Sequence, residues 1–363
     1  MSDIPVADHV AYAELLRAGE LAGRESTGLD LSRADGRGSD LRDSALLEVA
    51  FTGACLAECD LSSATLQDCD LSDADLSNSR AAGARIVSSA LRNAVAARST
   101  LDAAQFTECD LSAIDFRDAS LVKVVLNNCL AFEACLARAT CEHAVLAGTQ
   151  LSGAVLSRAN LRGASLTAVL LERAVAANID LTAAQIRDAN LTWISAPGAL
   201  WWNAVLDSVM AQHADLSRCE FSGAIASASI FDRATLRGAS FSGSRFAGCS
   251  FEFADLRAIQ AVGSDFSNAS FVGADLRGAR LLRCVLPHAD FYWANLTDCE
   301  FLDCDRAGAR FPEPECIVYG PRGVSPPHVP RAPLYRSAAT EEEHRAMLSS
   351  SAAGDAEDVD TGQ

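Results

Sequence analysis

The chain has 363 residues, 49% of them hydrophobic and only 6% aromatic, and its formal charge is −18. That excess of acid argues against nucleic acid as a direct ligand, because such binding rests on Lys and Arg at phosphates. No apolar run approaches the ~18 residues of a membrane span. The opening Met1-Ser2-Asp3-Ile4-Pro5 has neither the basic nor the apolar region of a secretory signal, so a cytoplasmic protein is expected.

Residues 1–29 read as an N-terminal helix and cap. Val6, Val10, Ala13, Leu16 and Leu21 fall near a helical spacing, with Asp8, Glu14, Arg17 and Glu20 on other faces, and the helix is expected to end near Gly23. Residues 30–316 read as one repeat domain. In Cys59-Asp60-Leu61-Ser62-Ser63-Ala64-Thr65-Leu66-Gln67-Asp68-Cys69-Asp70-Leu71, a small residue, a polar one, a Leu and two further positions recur every five residues. Period five is neither the 3.6 of a helix nor the 2.0 of a flat strand.

Let i be the large apolar position, which runs from Leu41, Leu46, Phe51 and Leu56 to Leu296, Phe301 and Phe311. It is interrupted by Ala at 81, 96, 131, 176, 196, 211, 226 and 261, and by Cys141, Trp201 and Arg306. Position i−2 holds only Ala, Ser, Cys, Thr, Val or Ile. Two inward positions two residues apart are what a strand supplies, and the chain must then turn at i+1 and i+2. All fourteen glycines between Ser39 and Phe311 sit at i+2, where a positive φ is easy for Gly. Pro197 and Pro287 both sit at i+1, a turn position with a fixed φ.

Cys59, Cys69, Cys109, Cys129, Cys219, Cys249, Cys284, Cys299 and Cys304 stand in the small column, so they are expected as buried filler, not as disulfides or metal ligands. The large column is mostly Leu up to Leu216 and rich in Phe from Phe221 onward. Trp201 is the outsized member, and its indole is expected to fill space left by Ala196 and Ala211.

Ala74-Asp75-Leu76, Ala159-Asn160-Leu161, Ala189-Asn190-Leu191, Ala214-Asp215-Leu216, Ala254-Asp255-Leu256, Ala274-Asp275-Leu276 and Ala294-Asn295-Leu296 carry the A(D/N)LXX pattern. The chain thereby resembles the pentapeptide-repeat family. That resemblance implies an all-β fold, a right-handed four-sided parallel β-helix with one pentapeptide per side and twenty residues per coil. The 57 repeats from 31 to 311 would make about fourteen coils, and at ~4.8 Å per coil a rod of roughly 65–70 Å. Residues 317–363, Pro-rich and then acidic, are expected to form a mostly disordered tail, with Ile317-Val318-Tyr319 closing the last coil.

Function must then come from outward positions. The six histidines are scattered and form no catalytic pattern with Ser, Cys or Asp, and a filled rod offers no pocket, so neither an enzyme nor a cofactor or metal site is expected. The Asp or Asn at i−1 is expected to bond nearby backbone. Glu58, Asp60, Asp68, Asp70, Asp73 and Asp75 form the densest acid cluster, with no basic residue between Arg42 and Arg80. One side of the rod gathers Leu130, Phe132, Leu170, Trp193, Met210, Ile230, Phe253, Val272, Tyr292 and Trp293, a composition typical of protein interfaces.

The family resemblance implies a protein partner, with DNA gyrase or topoisomerase IV, bound by a rod that mimics duplex DNA, as the best-known case. The rival expectation is an assembly or adaptor scaffold docking through the aromatic side, with a homodimer through that side or a rod end as a further form.

Overall fold

The computed structural model describes residues 14–312, which form a right-handed, four-sided parallel β-helix of about fourteen coils. The sides follow one another as A, B, C and D, headed by the inward residues Leu41, Leu46, Phe51 and Leu56. Each side repeats every twenty residues, and on each the residue at i−1 pairs with its equivalent one coil on: Asp40 with Asp60, Ala45 with Thr65, Ala50 with Asp70, and Cys55 with Asp75. The part of the expected helix before Glu14 and the whole expected tail lie outside the described residues.

The corners explain the period. Every i+2 residue from Arg33 to Gly308 has φ between +47° and +72°, whether or not it is Gly. None of them is Val, Ile or Thr, as the sterics of this region demand. Most corners close with a hydrogen bond from the N–H of i+3 to the inward residue's carbonyl, as from Ala54 to Phe51 at 2.8 Å.

On side B no such bond forms from the first coil to Ala226. There the chain stays extended one residue longer, and eleven three-residue strands stack in sequence order from β1 (Glu25–Thr27) to β11 (Ile225–Ser227). The longer ladder then moves to side A as β12 (Gln260–Val262), β13 (Arg280–Leu282) and β14 (Glu300–Leu302). At Phe246 the side B corner closes, with Cys249 N–H 3.3 Å from its carbonyl. The repeat alone did not signal this change of side.

An open corner lacks that turn bond, and the longer ladder pairs this stretch of backbone with the next coil instead, as Leu46 with Leu66 and Leu47 with Gln67. In several coils the small column of the next coil adds a side-chain donor to the inward carbonyl. Cys69 Sγ donates to Leu46 O at 3.3 Å, Thr149 Oγ1 to Leu126 O at 3.1 Å, and Cys284 Sγ to Ala261 O at 3.4 Å. The small-column cysteines are buried as expected, apart from the half-buried Cys304, and several of them also donate a hydrogen bond.

The interior is a stack of matched side chains. Phe251 lies between Phe231 and Phe271, with both centroids at 5.2 Å and planes within 11° of its own, and Phe271 stacks on Phe291 at 4.8 Å. Trp201 points inward, 1% exposed and stacked on Phe221 at 5.6 Å, Ala196 and Ala211 are fully buried, and a void of about 10 Å³ remains beside Ala196 and Trp201. Other alanines at i leave space. A void of about 30 Å³ is lined by Leu76, Ala81, Leu91, Ala96 and Leu101. Its apolar walls would keep it dry.

The rod's first coil is closed by Leu16, which is wholly buried. Leu16 stands twenty residues before Gly36, and a Cβ on Gly36 would lie 2.4 Å from Leu16 Cδ2. The helical turn at 14–17 thus delivers the side chain that the inward column lacks at Gly36. At the other end Arg306, half-buried, lies over the Phe311 ring at 5.6 Å.

Candidate functional site

The acid cluster does not form a face. Asp60 lies on side A, Asp70 on C and Asp75 on D, while Glu58, Asp68 and Asp73 stand at three different corners. Much of the charge is already engaged. Asp60 Oδ1 accepts from the Ser62 N–H at 3.0 Å and hydroxyl at 2.6 Å, and its Oδ2 is 3.1 Å from the Arg80 guanidinium. Burial alone would raise the Asp60 pKa, but the hydrogen bonds from Ser62 and Arg80 hold it below the ordinary carboxylate value.

Asp70 accepts from Ser72 N–H and Thr52 Oγ1, each at 2.9 Å, and Asp75 from Ser77 N–H at 2.9 Å. The amides of Gln67 and Asn93 each donate at 3.1 Å, to Asp68 and Asp73 respectively. The i−1 carboxylates are therefore turn chemistry first. On side D they also pair with Arg: Arg257 bridges Asp255 and Asp275, at 2.5 and 3.6 Å, and Arg277 holds Asp275 at 2.6 Å.

The rod is far less acidic than the whole chain. Residues 14–312 hold 37 acids against 26 Lys and Arg, a net of −11, and the remaining −7 lies outside the described residues.

Side C is different in kind. Of thirteen exposed large hydrophobic residues among the described ones, six lie there: Leu130, Phe132, Trp193, Met210, Phe253 and Trp293. Leu170, Ile230, Val272 and Tyr292, expected with them, are half-buried. Trp193, Phe253 and Trp293 are 54%, 50% and 68% exposed, and all three occupy left-handed i+2 corners, with φ of 61°, 55° and 58°. No other large apolar side chain stands at any i+2 corner from Arg33 to Gly308.

Each corner ring has a neighbour on the same side of the rod. Trp193 stacks on His213 with centroids 4.1 Å apart and planes 3° apart. Burial and the charge of Arg233 push the His213 pKa down, which favours the neutral ring. The Arg233 guanidinium lies 5.6 Å from the Phe253 centroid. The Phe253 ring leans over Gly273, where a Cβ would meet it at 2.6 Å. Tyr292 is held between Trp293, at 4.7 Å, and Arg310, at 3.8 Å.

Met210 and Ile230 pair in adjacent coils on the flat of the same side. Phe132 stands apart, three coils before Trp193. Trp202, 42% exposed on side A, was not among the expected residues, because its neighbour Trp201 takes the inward position. No group of His, Cys, Asp and Glu among the described residues could hold a metal ion, and no described helix is long and apolar enough to cross a membrane.

A rod with a filled core, an unbroken repeat and differentiated sides is a β-solenoid of pentapeptides. The chain belongs to the pentapeptide-repeat family, whose model matches residues 46–80, 59–95, 134–173, 184–223, 229–268 and 264–301. A search of the curated proteins finds no match. Similar solved structures include a pentapeptide repeat protein from the thylakoid lumen of Arabidopsis thaliana, 27% identical over 28% of this chain and 73% of that one, with a TM-score of 0.23. HetL, involved in heterocyst differentiation regulation in the cyanobacterium Nostoc, is 21% identical over 83% and 97% of the two chains, with a TM-score of 0.18. Full-length QnrB1, a plasmid-mediated fluoroquinolone resistance protein, is 20% identical over 73% and 92%, with a TM-score of 0.20.

Proposed function

We propose that this protein is a non-catalytic rod that binds a protein partner along side C, as an adaptor or assembly scaffold. The observation that carries this reading is the placement of Trp193, Phe253 and Trp293. A left-handed backbone costs a residue with a Cβ about 1–2 kcal/mol, and Gly is free of most of that cost. The rod uses Gly at many such corners, so a half-exposed indole there is poorly explained by the fold. A contiguous aromatic strip with interleaved Arg is, by contrast, what protein interfaces use.

The decisive variant replaces Trp193, Phe253 and Trp293 together by Gly. The change should leave the melting temperature equal or higher while abolishing partner capture, read by cross-linking and mass spectrometry against the unaltered chain. Loss of stability with capture intact would remove the proposal.

The second reading is a duplex mimic directed at DNA gyrase or topoisomerase IV. It draws on the family and on the six acids between Glu58 and Asp75. Charge density weighs against it. At one negative charge per ~1.7 Å, a duplex as long as fourteen coils of ~4.8 Å carries about forty charges, roughly four times the rod's net. A supercoiling assay with purified gyrase separates the readings, since a mimic must inhibit the enzyme or protect it from a drug.

A further inference from the structure

Two places among the described residues set cysteines in one inward column a single coil apart. They are Cys109 and Cys129 on side C, and Cys284 and Cys304 on side B. We propose that Cys284 and Cys304 are a redox-active dithiol that a peroxide converts to a disulfide, fastening the last coil to the one before it.

The geometry is favourable. The neighbouring residues Val285 and Asp305 are bridge partners, so the two cysteines ride on adjacent, in-register strands. Such strands are ~4.8 Å apart, inside the roughly 4.4–6.8 Å that a disulfide requires between Cα atoms. The thiols also point the same way. Cys284 Sγ donates to Ala261 O at 3.4 Å, and Cys304 Sγ donates to Leu281 O, one coil on, at 3.3 Å.

What distinguishes this pair is access. Cys109 and Cys129 are both buried, whereas Cys304 is half-buried beside the corner that carries Arg306. Proximity to Cys284 and the Arg306 charge draw the Cys304 pKa down, as proximity to Cys109 draws Cys129 down, so exposure is what separates the two pairs. Burial pushes the thiols of Cys59, Cys141 and Cys219 up to about 12, which keeps them protonated. Reaction follows the thiolate and exposure, so Cys304 is the attacking sulfur.

It attacks one oxygen of hydrogen peroxide, the O–O bond breaks, and the departing hydroxide takes a proton and leaves as water. The sulfenic acid at Cys304 is then attacked by the Cys284 sulfur. The S–O bond breaks, and its hydroxyl leaves with the Cys284 proton as a second water. Two thiols lose two electrons and the peroxide gains them. Solenoid ends open before the middle does, so the bond would restrain fraying of the last coil.

The test treats reduced full-length protein with stoichiometric hydrogen peroxide, alkylates the remaining thiols and cleaves after Arg and Glu. Cutting after Arg283, Glu300 and Arg306 leaves Cys304 on a separate peptide from Cys284. The expected product is these two peptides joined, lighter by two hydrogen atoms, with the link sequenced to Cys284 and with Cys109 and Cys129 recovered as alkylated thiols. In Cys284→Ser the reaction should stop at a Cys304 sulfenic acid that dimedone traps. A link to Cys299, equal closure of Cys109 with Cys129, or sulfinic acid accumulating at Cys304 of the unaltered chain would overturn the assignment.

Discussion

Phe251→Ala is the sharpest test of how the second half of the rod is held. The ring stacks on Phe231 and Phe271 at 5.2 Å and meets Phe241, Phe246 and Phe266 at 6.0–6.2 Å. Truncation loses the transfer free energy of the ring, and it opens a void that the coils cannot close, because the backbone ladder fixes their spacing. With ~24 cal/mol per Å³ over roughly 100 Å³, the void contributes about 2.4 kcal/mol and the transfer loss about as much again, placing the total near 5 kcal/mol. Phe251→Leu keeps most of the volume and should cost only about 1.5 kcal/mol.

Urea denaturation followed by circular dichroism measures both. With Trp193, Trp202 and Trp293 replaced by Phe, the fluorescence of the buried Trp201 reports whether the Phe block unfolds apart from the rest, as a solenoid with one weakened interface can. Equal costs for the Ala and Leu variants would show that ring packing is not what holds these coils.

The other expectations are simpler. Gly278→Ala meets nothing within 4 Å and should cost only the left-handed penalty of about 1–2 kcal/mol, whereas Gly273→Ala also drives a Cβ to 2.6 Å from Phe253. Thermal unfolding should show the larger loss at 273, and Phe253→Ala should erase the difference. Ala81→Val enters the void beside Leu101 and should stabilise by about 1 kcal/mol, the reverse of a small buried truncation; a lower melting temperature would mean that the void is already closed.

Acid should act through Asp115 and Asp255, whose pKa values are held below the ordinary range, chiefly by Arg117 and Arg257 respectively. A depressed folded pKa gives stability that is present above the unfolded value near ~3.9 and lost as pH falls through the folded one. Melting temperature should therefore be insensitive to these groups at neutral pH and should fall below about pH 4, less steeply in Asp115→Asn.

The inward columns and the corners could be read from residue types because each is a strict steric demand. Only small or β-branched side chains stand at i−2, and the left-handed corner admits Gly, Asn, Asp and Arg while rejecting Val, Ile and Thr. The inward burial of Trp201 followed from its place in the register. Features set by the relation between coils were not legible. Cys69 and Thr149 donate to carbonyls twenty-three residues back, a contact between coils that their own pentapeptides do not specify. The openness of a corner is a property of the whole stack, and it changes side after Ala226 with no break in the period. Leu16 completing Gly36 was hidden for a similar reason, since the helical turn reaches the inward column without sharing the repeat.

The same distinction bears on where a partner could choose this rod over another of the family. An i−1 Asp is committed before any partner arrives, to the N–H two residues on and often to an Arg, as Asp115 is to both the N–H and the guanidinium of Arg117. Its charge is largely local, and any A(D/N)LXX rod presents it. Trp193, Phe253 and Trp293 have no such obligation to the backbone, and they stand where Gly would serve the fold better. Each ring is held by a local neighbour, Trp193 by His213, Phe253 by Arg233 and Trp293 by Tyr292, so a partner would meet side chains whose rotamers are already restricted. Preorganisation of that kind lowers the entropic cost of docking, and it is available on side C without any change to the core.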